Sequence, residues 1–317
     1  MLNNTQLLAL LQLPNLGRKS IIAMAEYALL TKKNVGSIAE FHEFVDECKA
    51  RKIIRGGTSY LESEINTAYA FALSIEEASE NADIQITSFF DKNYPERLRH
   101  LKKDGKTDSP VLLFSKGNLK LVDECPSVAI IGTRTPSIGG NIASTHIAEE
   151  FAKEGFNIVS GLALGCDTAA HKGALNVGGK TTAILAHGLD SVYPPENRAL
   201  LQDIIENGGL ALSEYPLGIR PQQIYFVERD RLQAGISDAT IVVEGKSTSG
   251  ARHAVKTAIG NQKPTYYTPR STDFALREEG NLFAENATSL LDEQTLHPAI
   301  DRLKNEFNKK CAGHNAN

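Results

Sequence analysis

The chain has no tryptophan, 2 methionines and only 4 cysteines among 317 residues. Cys48, Cys125, Cys166 and Cys311 are scattered and make no paired motif. That argues against a zinc site and a disulfide framework and for a reducing compartment, the cytoplasm. No apolar run is long enough to span a bilayer, so no membrane role is expected. Met1-Leu2-Asn3-Asn4 places no basic lead before its apolar part, so a signal peptide is not expected. Charge of one sign is also missing in excess. The net charge is -4, so a nucleic-acid partner would have to meet a local basic patch rather than a global field. After Leu291 the tail is polar and short, too little for another domain.

What is present is an ordinary globular composition, 41% hydrophobic and 23% charged, with room for about two domains. The chain centres on residues 127–171. Ser127-Val128-Ala129-Ile130-Ile131 is an apolar run of strand length, turning at Gly132-Thr133-Arg134-Thr135-Pro136-Ser137. A helical pattern with Ala143, Ile147 and Phe151 on one face follows, and Gly155 stops it. A second strand, Phe156 to Val159, runs into Ser160-Gly161-Leu162-Ala163-Leu164-Gly165-Cys166-Asp167 and another helix. This strand–loop–helix repeat is of the nucleotide-binding kind. Its spacing matches neither G-x-G-x-x-G nor a P-loop, so a standard dinucleotide or triphosphate cofactor is not expected. Two readings of the small-residue loops stand: a backbone cradle for phosphate, or tight turns only.

Further strands are expected at 84–90, 111–114, 182–186, 210–213 and 239–243, with Thr265-Tyr266-Tyr267 as the last, and residues 103–109 as a polar loop. Strands alternating with helices predict a mostly parallel sheet covered on both faces, the α/β, Rossmann-like class. Its ligand would sit beyond the carboxyl ends of the strands, which carry Gly132, Ser160-Gly161, His187-Gly188, Ser213-Glu214 and Glu244. Residues 1–80 read as a helical N-terminal domain, 81–292 as the Rossmann-like domain and 293–317 as the tail. Within residues 5–30, Pro14-Asn15-Leu16-Gly17 joins two helices. Either its backbone grips a nucleic-acid phosphate beside Arg18 and Lys19, or its glycine merely caps a helix.

Several ordered segments resemble one family. They are Ile130–Arg134, Ser160–His171, Gly188–Asn197, Leu212–Pro216, Phe226–Arg231, Ala234–Ala239 and Val242–Glu244. In this order they are similar to the DprA/Smf DNA-processing proteins, over about residues 84–268 plus the N-terminal hairpin. The resemblance implies an extended Rossmann-like domain that binds single-stranded DNA, often as a dimer. It implies a role in loading a RecA-type recombinase, and neither catalysis nor a cofactor. It departs from the family's R-N-R at Arg229-Asp230-Arg231, where an acid should weaken phosphate attraction unless it faces inward. It departs again at Ser249-Gly250-Ala251-Arg252-His253-Ala254-Val255, where the side chains of an S-G-S-L-x-T-A pattern are altered. The winged-helix tail common in the family is not read here.

The expected DNA and phosphate contacts are Gly132, Thr133, Arg134, Ser160, Gly161, Gly165, Phe226, Arg229 and Arg231. Arg134 can fork onto phosphate. Arg229 and Arg231 are two apart and so point differently on a helix; one could contact DNA while the other pairs with Glu214 or Glu244. Phe226 is placed for base stacking or for core burial. Asp167, His171, Gly188, Glu214, Glu244, Ser249 and Gly250 complete the pocket. Asp167 and His171 could be an acid/base pair, or an N-cap and a structural histidine. Cys166 reads as a small buried residue rather than a nucleophile. The alternative function is a nucleotide-derivative sensor or phosphoribohydrolase-like enzyme using Glu214 or Glu244 with Arg134.

Overall fold

Four helices open the chain: α1 (Asn4–Gln12), α2 (Arg18–Leu30), α3 (Ile38–Ala50) and α4 (Glu62–Asn81). α1 begins on a reciprocal cap. The Asn3 side chain accepts from the Gln6 N–H, and the Gln6 side chain accepts from the Asn3 N–H, satisfying two donors the first turn leaves open. The computed structural model describes residues 2–54, 59–103, 105–245, 250–271, 289–290, 292 and 294–314. Leu7, Leu10, Ile21, Met24, Phe41 and Phe44 build the helical core. That core continues into Ile84, Val111, Leu112 and Phe114 at the edge of the sheet, so helices and sheet share one apolar cluster.

Among the described residues the remaining strands and α-helices begin with β1 (Gln85–Ser88), α5 (Glu96–Arg99), β2 (Lys102–Lys103), β3 (Lys106–Thr107), β4 (Leu112–Gly117) and α6 (Leu121–Glu124). Then come β5 (Ser127–Ile131), α7 (Ile138–Lys153), β6 (Asn157–Ser160), α8 (Cys166–Asn176), β7 (Thr181–Leu185), α9 (Arg198–Glu206) and β8 (Leu210–Ser213). They end with α10 (Gln223–Ile236), β9 (Ala239–Val242), α11 (Ala251–Gly260), β10 (Thr265–Tyr267), β11 (Ser289–Leu290) and α12 (Leu296–His314).

Among the described residues nine strands form one sheet in the order β1-β4-β8-β7-β6-β5-β9-β10-β11. From β8 to β11 every neighbouring pair is parallel, while β4 pairs antiparallel with β8 and β1. Every residue of β5 is buried, as a strand covered on both faces must be. Val128 and Ile130 face α7, α8 and α12, whereas Ala129 joins the cluster beneath α5 and α10. That is the two-residue alternation of a strand in a three-layer α/β fold.

Three expectations need correction. Residues 103–109 include a two-stranded hairpin, β2 with β3, rather than plain loop. Thr265–Tyr267 is not the last strand, because β11 pairs parallel with it. The polar tail is mostly helix α12. Its average composition concealed an apolar stripe in which Leu296, Ala299, Ile300, Leu303 and Phe307 recur at helical spacing and are buried. Each large apolar side chain so buried contributes about 1.5–3 kcal/mol, enough to dock a helix that is polar elsewhere.

One polar cluster joins the helical unit to the sheet. Arg231 of α10 grips Glu214 with two parallel hydrogen bonds of 2.9 and 2.7 Å and donates to Asp108 at 2.7 Å. Arg18, at the start of α2, completes it through Glu214 at 2.8 Å and Asp108 at 3.3 Å. Arg231 is 2% exposed, so removing it would leave buried carboxylates short of a counter-charge. Arg231→Leu should therefore cost about 3–5 kcal/mol in urea denaturation, while the partly exposed Arg18→Ala costs less than half as much. A loss below about 1 kcal/mol for Arg231→Leu would show that the cluster does not hold the fold together.

Candidate nucleic-acid interface

The strand order reverses between β5 and β9, and the loops leaving those two strands diverge there. Such a switch point opens a crevice at the carboxyl ends of the strands. The loops are locked together. The Thr133 N–H donates to the Glu244 carbonyl at 2.7 Å, and the Cys166 N–H donates to the Thr133 carbonyl at 3.2 Å. A Cβ on Gly132 would lie 2.5 Å from the Cys166 Sγ and 2.8 Å from the Glu244 carbonyl oxygen. Gly165 has a φ of +81°, and its Cβ would lie 2.5 Å from the Thr133 carbonyl oxygen. Both glycines are thus required by loop-to-loop contact, independently of any ligand.

The N-terminus of α7 already has an anion. Glu244 accepts from the Ser137 N–H at 3.0 Å and from the Ser137 hydroxyl at 2.8 Å, and Ser137 in turn caps α7 by accepting from the Gly140 N–H. Positive helix ends attract carboxylate as they attract phosphate. The expectation that Glu244 is a pocket acid is corrected accordingly: its carboxylate serves the helix. Ser160 is also turned inward, its hydroxyl donating to the Ile130 carbonyl at 2.7 Å.

Beside these loops lies a cavity of about 720 Å³ lined by Gly132, Thr133, Arg134, Asp167, Tyr193, Phe226, Arg229, Asp230, Gln233 and Gly250, among others. Phe226 is half-buried and lines the cavity, so it is neither wholly a core residue nor wholly a surface one. The Arg134 and Arg229 guanidiniums lie 5.1 and 6.0 Å from its ring centroid, and Tyr193 packs against it at 5.7 Å. Arg134 is exposed and makes no ion pair among the described residues. Arg229 differs. It is 4% exposed, donates to the Ile184 carbonyl at 2.8 Å and pairs with Asp230 at 3.3 Å. The Gln233 amide, with its oxygen turned to both donors, accepts from Arg229 at 2.9 Å and from the Gly161 N–H at 2.8 Å.

These contacts reassign several residues. A Cβ on Gly161 would overlap the Arg229 guanidinium, so Gly161 makes room for a side chain of the chain itself rather than for a ligand. Arg231 and Glu214 are spent on each other, as is Arg18 of the N-terminal hairpin, so none of the three points at the cavity. Asp167 is not an N-cap; Gly165 holds that position. Instead its carboxylate accepts from the Gly161 and Ala163 N–H groups at 3.1 and 3.3 Å, bracing the loop after β6. Burial pushes its pKa up, against the Arg229 charge. His171 is fully buried and shares a 2.6 Å hydrogen bond with the Thr181 hydroxyl. Burial, with the Arg229 charge, pushes its pKa down to about 3, so the ring is neutral at physiological pH. The two side chains bond elsewhere and form no acid/base pair. Cys166 is buried and its thiol is pushed up to about 12, mainly by burial, which removes it as a nucleophile. Gly188 is hemmed in by Asp190 and Pro216. Ser249 lies outside the described residues.

Asp230 does face the cavity. Burial pushes its carboxyl up to about 7; Arg229 and Arg134 oppose that shift and Asp167 adds to it. Two contributors escaped sequence reasoning. Tyr193 sits in a loop thirty-odd residues from Phe226, and only the fold joins them. Gln233 had no signal beyond its position one turn past Arg229.

A family model described as DNA recombination-mediator protein A matches residues 85–300. The chain is 37% identical over 218 residues to the protein Smf of Synechocystis, covering 67% of this chain and 53% of that one. It is 35% identical over 247 residues to the DNA processing protein DprA of Streptococcus pneumoniae, covering 76% of this chain and 83% of that one. It therefore spans about half the length of the first relative and most of the second. The crystal structure of the pneumococcal DprA superposes with a TM-score of 0.73 at 30% identity, over 94% of this chain and 98% of that one. A Helicobacter pylori DprA structure, described for its single-stranded DNA binding mode, gives 0.58 at 31% identity over 70% and 97%. With that fold, those ordered motifs and the family model over residues 85–300, the chain belongs to the DprA/Smf family of DNA-processing recombination mediators.

Proposed function

We propose that the chain binds single-stranded DNA at the switch-point cavity and passes the strand to a RecA-type recombinase, acting in the cytoplasm as a homodimer and not as an enzyme. The observation that carries the binding is Arg134. It is an exposed guanidinium, unpaired among the described residues, set over a half-buried phenylalanine at the rim of a 720 Å³ cavity. A phosphate would take the fork of the guanidinium, and a base would stack on the half-buried ring of Phe226 or the exposed ring of Tyr193. Binding of this kind reads backbone and stacking rather than sequence. The H. pylori relative is described as binding single-stranded DNA, and the family model is that of a recombination mediator. The recombinase and the homodimer rest on that membership. Glu214 and Glu244, the acids a hydrolase of this pocket would use, are engaged by Arg231 and Ser137, which favours binding over catalysis.

Arg134→Ala should weaken binding at every sequence tested and lower the salt slope of the affinity by about one unit. Arg134→Lys should fall between the two, keeping charge but losing the fork. Fluorescence anisotropy at two salt concentrations reads both. Unchanged affinity in Arg134→Ala would move the strand away from this cavity.

Asp230 adds a pH dependence. Its raised pKa leaves it largely neutral below about 7 and charged above, where it repels phosphate. Affinity should fall as pH rises from about 6 to about 8, by roughly fivefold for one like charge at close range in water. Asp230→Asn should abolish that dependence and bind more tightly at the upper pH. The same shift bears on folding. Because the folded pKa exceeds the ordinary 3.8, stability from the neutral carboxyl is full below 3.8 and is lost as pH rises through about 7. A pH profile that survives Asp230→Asn assigns the titration to another group.

A further inference from the structure

A second cavity, of about 250 Å³, shares Val227 with the first. Its walls are Lys102 and Lys103 of the β2–β3 hairpin and His253 and Lys256 of α11, and none of the described residues lining it is acidic. The hairpin sequence Lys102-Lys103-Asp104-Gly105-Lys106 brings three lysines against one aspartate, in a chain whose net charge is -4. Lys102, Lys103, Lys106, Arg252 and Lys256 are all exposed. The ring of His253, between them, is held below its ordinary pKa by burial and then by Arg252, Lys103 and Lys256. The cations are thus close enough to raise one another's potential, which adds to the attraction of the groove for an anion.

Their placement is specific. The Lys102 N–H donates to the Asn261 side-chain oxygen at 2.9 Å, and the Asn261 amide donates back to the Lys102 carbonyl at 2.8 Å. Asn261 is the C-cap of α11 and also donates to the Thr257 carbonyl at 2.8 Å. The hairpin is therefore pinned to one end of α11. The other end lines the first cavity through Gly250 and Ala251. Ala251 to Gly260 is about 14 Å of helix at 1.5 Å per residue. Arg252, His253 and Lys256 lie along that interval.

We propose that this groove is a second phosphate-binding surface, holding the part of a single DNA strand that leaves the Arg134 cavity and runs along α11 to the lysine hairpin. It rests on the proposed binding of single-stranded DNA at the first cavity. Lysine point charges suit a backbone track, because they need no base geometry and release counterions on contact.

The test compares a five-nucleotide with a twenty-nucleotide oligothymidylate, binding to the full chain, in the parent, Arg134→Ala and Lys102→Gln/Lys103→Gln/Lys256→Gln. Unfolding midpoints establish that the exposed lysines are dispensable for folding. The triple variant should bind the long strand at least tenfold more weakly, with a salt slope lower by about two to three units. It should hold the short strand within twofold of the parent. Arg134→Ala should lose both. By proton NMR, the His253 titration should move up when the long strand binds and stay put with the short one or with inorganic phosphate. Parent-like affinity and slope for the long strand in the triple variant would overturn the inference, as would equal losses on both strands, which would mean a diffuse field rather than a track. A His253 response to inorganic phosphate alone would overturn it in favour of a mononucleotide-sized anion site. If the parent binds neither strand, the reading of the first cavity fails and this one with it.

Discussion

The bidentate pair between Arg231 and Glu214 is the contact on which the placement of α10 depends. Two parallel hydrogen bonds, further braced by Asp108 and Arg18, fix both the rotation and the height of that helix against the sheet. Rotation matters because Phe226, Arg229 and Asp230 leave the same helix toward the cavity. Turning the helix about its axis would carry the Phe226 ring away from Arg134. A buried ion pair gives little net stability over a hydrophobic substitute, so its contribution here is orientation rather than energy.

Arginine in this chain is divided by its surroundings. Arg231, Arg229 and Arg18 have carboxylates or carbonyls within hydrogen-bonding reach and serve the architecture. Arg134 has an aromatic ring and solvent, and makes no ion pair among the described residues. The acids divide likewise. Glu214 neutralises arginine, Glu244 and Asp167 bind backbone or hydroxyl donors of the loops, and Asp230 lines the cavity while also touching Arg229. The departure from a neutral amide at Asp230 thus places a titratable group beside Arg134 and Arg229.

Much of the architecture was legible because its signals are local. All-apolar runs such as Val128–Ile131 announce buried parallel strands, and Gly155 or Gly208 beyond a periodic stretch announces a helix end. The switch point was not legible, because the order of the strands in the sheet is set by pairings between distant segments. α12 was overlooked because its apolar positions are diluted by charge, and the stripe shows only when counted at helical spacing. β11 was overlooked because two residues carry no period. At the site, Arg134 was legible from its place after a strand. Arg231 and Arg18 were not, since their partners lie 17 and 196 residues away for Glu214 and nothing local distinguishes an inward arginine from an outward one. Gly161 showed the same ambiguity: a glycine in such a loop can make way for a phosphate or for a guanidinium, and sequence spacing is silent on which.

The carboxylate of Glu244 sits where a P-loop protein would seat a phosphate, and in doing so it changes what the cavity competes for. A cell is rich in nucleoside triphosphates, each carrying a compact cluster of negative charge. A helix end already neutralised by its own acid has little to offer such a cluster. Affinity must then come from several modest contacts spread along a chain, which a mononucleotide cannot reach at once and a polymer can. On the proposed binding of single-stranded DNA, a fold that fills this helix end from within makes length, rather than charge density, the property by which a ligand would be chosen.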